Sequence, residues 1–262
     1  MNLNNPHNLD ILQKFTPISL QEMDGVKLMD RTDTKFTFGR VLFESILSEI
    51  LDEYRVLEID GKRVSCYKTL YYDTEKLNLY IKHHNGELNR YKIRHRTYVE
   101  SNIGFLEVKF KANKGRTVKD RIKSKDVPEY WEGATEEFLK QMLPFEPNTL
   151  VPTVWVNYSR MTLVNKTSAE RLTIDLNLEF VNGNITRNLN NMVIAEVKQE
   201  KRKASPFLRV MKKYHIREGG VSKYCMAIAL TTGKEVKKNN FKEKLLSIKN
   251  LINYYDYAVA NY

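Results

Sequence analysis

The stretch ERLTIDLNLEF, residues 170–180, alternates polar and apolar side chains without a break from Arg171 to Glu179. Successive side chains of a β-strand point to opposite faces. Arg171, Thr173, Asp175, Asn177 and Glu179 are therefore expected on one face, opposite Leu172, Ile174, Leu176 and Leu178. So long a run of period two argues against a helix. The same pattern recurs. RTDTKFTF (31–38) puts Arg31, Asp33, Lys35 and Thr37 on one face. YKIRHRTY (91–98) aligns Lys92, Arg94 and Arg96, followed by Tyr98. FLEVKFK (105–111) sets Glu107, Lys109 and Lys111 opposite Leu106, Val108 and Phe110. VIAEVKQ (193–199) sets Glu196 and Lys198 opposite Ala195 and Val197.

Further strands are expected at 27–38, 62–74, 87–99, 103–112, 115–121, 153–165, 170–181 and 192–199. Asp60-Gly61 is a favoured pair for a two-residue hairpin turn, and Asn85-Gly86 and Asn182-Gly183 mark other turns. Helical spacing covers a lead-in over 1–24, then 40–54, 75–83 and a patch within 126–147. It returns at 205–214, 222–232 and 241–258. Ser205 before Pro206 reads as an N-cap with a first helical position. Strands and helices do not alternate as a parallel sheet requires. The fold class is α+β: an antiparallel barrel or sandwich with helices on it. Three segments follow: a helical lead-in (1–24), a main domain (25–232) and a C-terminal helix packing on it (233–262).

The 262 residues carry 43 Lys and Arg against 32 Asp and Glu, a net charge of +11. That excess suits an anionic partner. Cys66 and Cys225 fit no metal or redox spacing and read as small buried residues. The N-terminus shows no signal peptide and no segment is long and apolar enough to span a membrane, so a cytoplasmic location is expected. His83-His84 reads as a helix end, Asp73 as a carboxylate closing a strand–helix turn, and Tyr254, Tyr255, Tyr257 and Tyr262 as part of a packing helix.

One-sided burial explains each strand taken alone. A second geometry explains them together: a barrel whose charged faces line its interior. Two like charges ~5 Å apart at an effective dielectric of ~20 repel by roughly 3 kcal/mol. Facing cations therefore call for interleaved carboxylates or a polyanion. Arg suits phosphate chains through its two parallel donors, and a carboxylate among them suits Mg²⁺ or Mn²⁺.

The motifs DRTDTKFTF (30–38), YYDT (71–74), YKIRHRTY, FLEVKFK, NYSRMTL (157–163), ERLTIDLNLEF, IAEVKQE (194–200) and SKYC (222–225), in this order and spacing, resemble the polyphosphate polymerase (VTC) domain family, within the triphosphate tunnel metalloenzymes. The resemblance implies a closed antiparallel barrel of eight strands forming a tunnel. It implies catalytic roles for Arg94, Arg96, Lys109 and Lys198 and phosphate contacts from Lys35, Arg160, Arg171 and Lys223. Glu196 is the implied metal ligand, with Glu107 a second candidate and Mn²⁺ or Mg²⁺ the metal. Arg116, Lys119 and Arg121 are further candidates at the entrance. The implied reaction moves the γ-phosphate of ATP onto a growing polyphosphate chain. The first strand reads RTDTK rather than the Glu-x-Glu-x-Lys of the triphosphatase branch, which favours the polymerase branch. The phosphate-sensing domain and membrane segments of the eukaryotic complex are not found in the sequence, so export coupled to synthesis is not expected. Two alternatives stay open: hydrolysis of triphosphate or nucleotides, and non-catalytic binding of polyphosphate or RNA. The carboxylates Glu107 and Glu196 count against nucleic acid.

Overall fold

The computed structural model describes residues 10–24, 32–113, 117–201, 203–220, 222–233 and 235–259. In chain order the strands are β1 (Thr16–Ile18), β2 (Thr32–Gly39), β3 (Tyr54–Leu57), β4 (Ser65–Asp73), β5 (Arg90–Tyr98), β6 (Ile103–Lys111), β7 (Thr117–Lys123), β8 (Val151–Asn165), β9 (Glu170–Asn182), β10 (Ile185–Leu189) and β11 (Met192–Gln199). The helices are α1 (Asp10–Gln13), α2 (Leu20–Asp24), α3 (Phe43–Ser48), α4 (Asn78–His84), α5 (Gly133–Met142), α6 (Pro206–Lys213), α7 (Lys223–Thr231) and α8 (Lys242–Val259). No described helix is long and apolar enough to cross a membrane.

All eleven strands belong to one sheet, whose main path of eight runs β2-β11-β9-β8-β4-β5-β6-β7. Every pairing along that path is antiparallel. The α+β class stands, with two corrections. Among the described residues β2 and β7 end the path without pairing to each other, so hydrogen bonds do not close the barrel. The lead-in also carries β1, which pairs in parallel with β3. The sheet nevertheless curls: Lys35 of β2 lines one cavity with Lys92 of β5, Lys109 of β6 and Lys119 of β7, from the other half of the path.

Local signals explain much of this. Asp60 and Gly61 both have positive φ, 49° and 73°, as a type I′ turn demands, and Ile59 bridges Lys62 across it. The Ser205 hydroxyl accepts the Leu208 N–H at 3.1 Å, and the Ser222 hydroxyl accepts the Cys225 N–H at 3.3 Å, capping α6 and α7. The helix expected over 40–54 is shorter, a 3₁₀ turn (Arg40–Leu42) followed by α3. Asn182-Gly183 leads into β10, a strand the sequence reading left out, before β11.

The alternation of ERLTIDLNLEF breaks at Asn177, which has φ 52°. The β8–β9 register shifts opposite it, between Asn157 and Ser159. Asn tolerates the left-handed region, and a bulge turns the following residues to the other face. Leu172, Ile174 and Leu176 pack in one core with α1, α3 and α6, whereas Leu178 and Phe180 pack in another with α7. Glu179 therefore leaves the face of Arg171 and Asp175.

The concave face is thus divided. On β11, Met192 and Ile194 share a face with Glu196 and Lys198; on β8, Val154 and Val156 share one with Tyr158 and Arg160. The apolar members of both sets are buried against Tyr224, Cys225, Met226, Ala227 and Ile228 of α7. Helix α7 therefore packs on the charged face, not the opposite one, and Tyr80 of α4 and Ile248 of α8 join the same core. The outer faces carry two further cores, one under α3 and α6 and one against α5. Together they hold the curl that sets the basic half of the concave face around a common space.

Candidate functional site

Cross-strand register pairs the charges on that face. Glu196 of β11 lies opposite Lys35 of β2, and Lys198 lies opposite Asp33 on one side and Arg171 of β9 on the other. Arg94 of β5 lies opposite Glu107 of β6, and Arg160 of β8 opposite Asp175 of β9.

Three carboxylates are each held between two cations. Glu196 meets Lys35 at 2.9 Å and Lys198 at 2.6 Å. Glu107 meets Arg94 at 2.6 Å and Lys119 at 2.5 Å. Asp175 takes two parallel bonds from Arg160, at 2.5 and 2.9 Å, and a third contact from Lys223 at the start of α7. Burial alone would raise the pKa of each carboxyl. The neighbouring cations outweigh it: Glu107 falls to about 2 under Arg94, Arg96 and Lys119, and Glu196 and Asp175 also lie well below the ordinary carboxylate range. All three are ionised at neutral pH.

The cations exceed what these carboxylates can neutralise. The Lys109 side chain makes no hydrogen bond or ion pair among the described residues, and burial with the Lys35 and Arg94 charges lowers its pKa. Lys92 donates to the Ser222 hydroxyl at 3.0 Å, and burial pulls it down to about 8. Lys198 falls to about 8, burial prevailing over the attraction of Glu196. A cavity of about 1110 Å³ receives Lys35, Arg90, Lys92, Lys109, Lys111, Lys119 and Lys244, with Asp33 and Glu200 the only carboxylates among its described lining residues. Both end strands of the path contribute, β2 through Thr32, Asp33 and Lys35, and β7 through Thr117 and Lys119.

Aromatic rings also contact the cations of this face. Tyr67 and Tyr158 stack with centroids 5.1 Å apart, and Tyr98 lies 5.0 Å from Tyr67. Arg96 lies 5.3 Å from the Tyr67 ring and Arg160 5.3 Å from that of Tyr158, with the Lys223 ammonium 4.8 Å from Tyr158. Of these only Arg96 has no carboxylate contact among the described residues, and cation–π attraction holds it without neutralising it.

The structure thus gathers Lys35, Arg94, Arg96, Lys109, Arg160, Lys198, Lys223, Glu107 and Glu196 on one concave surface, with Arg171 opposite Lys198 in the ladder. Lys119 joins the set through Glu107, and Arg121 lies 4.3 Å from the Phe105 ring. Arg116 is outside the described residues, as are Arg31 and the side chains of the C-terminal tyrosines. The sequence reading missed Asp175 as a clamp and Lys92 as a cavity cation. Both were visible as polar members of the alternating strands, but their partners on α7 lie far away in the chain.

His83 lines the cavity, with burial and the Lys92 and Arg90 charges lowering it to about 2, so it is neutral. No group of three or more His, Cys, Asp or Glu suited to a metal occurs among the described residues. Mg²⁺ is commonly held by one or two carboxylates with substrate phosphates completing its shell. Glu196, between Lys35 and Lys198 with its side chain 17% exposed, fits that donor set. Glu107 is enclosed by its two cations, with its side chain 1% exposed, and fits it poorly.

The site is a curled antiparallel sheet with a basic concave face on which three carboxylates are each held between two cations. The sequence matches the VTC domain over residues 30–232, and the chain belongs to that family. No curated protein matches the sequence. HpAC1 from Hippeastrum, reported with a dominant triphosphatase activity, superposes with TM-score 0.46 at 13% identity over 79% of this chain and 98% of its own. PH1012 from Pyrococcus horikoshii OT3 gives TM-score 0.39 at 12% identity, covering 71% and 92%. A conserved protein from Pyrococcus furiosus gives 0.42 at 13%, covering 76% and 100%.

Proposed function

We infer that this protein is a phosphotransferase that lengthens polyphosphate at the expense of ATP, with Mn²⁺ or Mg²⁺. The observation that carries the reading is the surplus of cations beside three clamped carboxylates. Lys92 and Lys109 face Lys35 without carboxylate partners of their own, a cost that a chain of phosphates offsets. VTC domain membership supports the same substrate class.

In-line phosphoryl transfer is mostly positioning and charge neutralisation. Arg94, Arg96 and Arg160 are held in fixed orientations by Glu107, Tyr67, Tyr158 and Asp175, and so present preset donors to phosphate oxygens. Lys35, Lys109 and Lys198 neutralise charge developing on the transferred group. The terminal oxygen of the polyphosphate chain attacks the γ-phosphorus, the bond to the β–γ bridging oxygen breaks, and ADP leaves with that electron pair. The attacking oxygen is already anionic, so no general base is needed. Glu196 would hold the metal, which would supply neutralisation of phosphate charge. No membrane segment or nucleic acid enters the scheme.

Incubation of the purified protein with ATP and Mn²⁺, resolved by gel and ³¹P NMR, tests it. ADP and polymer are expected. Free phosphate without polymer would replace transfer by hydrolysis, and no turnover with any metal or primer would leave a binding protein.

A further inference from the structure

Asp73 ends β4 fully buried, yet lies outside the basic channel. Its carboxylate accepts the backbone N–H groups of Thr74 at 2.7 Å, Leu79 at 2.9 Å and Tyr80 at 2.8 Å, the last two in the first turn of α4. It also accepts the hydroxyl of Tyr224 on α7. One carboxylate therefore joins β4, α4 and α7. Two site residues precede Tyr224: Lys223, which contacts Asp175, and the helix cap Ser222, which accepts from Lys92. Its ring stacks on Tyr71 with centroids 4.9 Å apart, and the Tyr71 hydroxyl accepts from Arg94 at 3.1 Å.

Simple packing of α7 would not require this arrangement. Met226, Ala227 and Ile228 already bury the helix against the sheet. Apolar packing is non-directional, so it leaves rotation of α7 about its axis and sliding along it less well fixed. A hydrogen bond from a buried hydroxyl to a carboxylate fixes both. Lys223 and Ser222 lie on the same turn, so such a shift would move them directly.

We propose that Asp73 is a positioning residue: through the Tyr224 hydroxyl it sets the first turn of α7, and with it Lys223 on Asp175 and Ser222 on Lys92. The phosphate-binding consequence rests on the reading of the channel given above; the placement of Lys223 does not.

Tyr224→Phe removes one hydroxyl and keeps the ring, its stack on Tyr71 and the apolar contacts. Two readouts separate the parts. In the ligand-free protein, reductive ¹³C-methylation of lysines gives Lys223 an NMR signal, identified by its loss in Lys223→Arg. Tyr224→Phe should shift that signal, and an unshifted one overturns the placement. Calorimetric titration with inorganic triphosphate then measures affinity. Tyr224→Phe should weaken binding about tenfold in the otherwise native protein and less than about twofold when Lys223 is already Ala, because residues acting as one unit are not additive. Equal losses in both backgrounds overturn the inference while leaving the channel reading intact. Absence of any triphosphate binding by the native protein overturns the channel reading, and the lysine signal still decides the placement. Should Tyr224→Phe not fold, Asp73→Asn keeps an acceptor for the amides of α4 and is read by the same two measurements.

Discussion

Glu107→Gln separates a counter-ion from a metal ligand. The substitution keeps the size of the buried side chain and removes its charge, leaving Arg94 and Lys119 with no carboxylate between them. The carboxyl falls from its ordinary 4.5 to about 2. At about 1.4 kcal/mol for each pH unit, its ionised form stabilises the fold by about 3 kcal/mol. For a chain of this length each kcal/mol moves the melting midpoint by about 2–4 °C, so a fall of about 6–12 °C is expected at pH 7. The sign with pH follows from the lowered folded-state value. The stabilisation is complete above the unfolded pKa of 4.5 and is lost as pH falls through about 2. By pH 3 the difference between native protein and variant should shrink to about half. Urea unfolding at pH 7, 5 and 3 measures this, and a Mn²⁺ titration of activity runs beside it. A counter-ion loses stability while the metal concentration for half-activity holds. Unchanged stability together with a raised metal requirement would refute the reasoning and return Glu107 to the metal.

Glu196→Gln should abolish turnover at any metal concentration with folding retained, as circular dichroism and activity together would show; near-normal activity at saturating metal removes Glu196 from metal binding. Lys109→Met removes a cation without a carboxylate partner, so the ligand-free melting midpoint should hold or rise. Triphosphate at a hundred times its Kd stabilises the native protein by about 2.7 kcal/mol, and at equal triphosphate concentration Lys109→Met should gain less, as differential scanning fluorimetry would report.

Much of the protein is legible along the chain because its signals are local. Period two in YKIRHRTY and FLEVKFK places Arg94, Arg96, Glu107 and Lys109 on one face before any partner strand is known. Asp60-Gly61 sets its own turn, and Ser205 and Ser222 cap their own helices. Pairing is a different matter, because it depends on register and on the neighbours each strand finds. Only the folded sheet puts Lys35 beside Glu196, 161 positions away, and Lys223 on Asp175. The bulge at Asn177 hides inside a faultless alternation, since Asn fits either hand of backbone and the choice falls to packing of Leu178 and Phe180 under α7. The apolar sequence of α7 likewise says that it is buried but not against which face. The sequence determined which side chains are charged and which of them share a strand face. The tertiary structure decided which cations are neutralised and which remain for phosphate, because Coulomb energy depends on distances that only long-range packing sets.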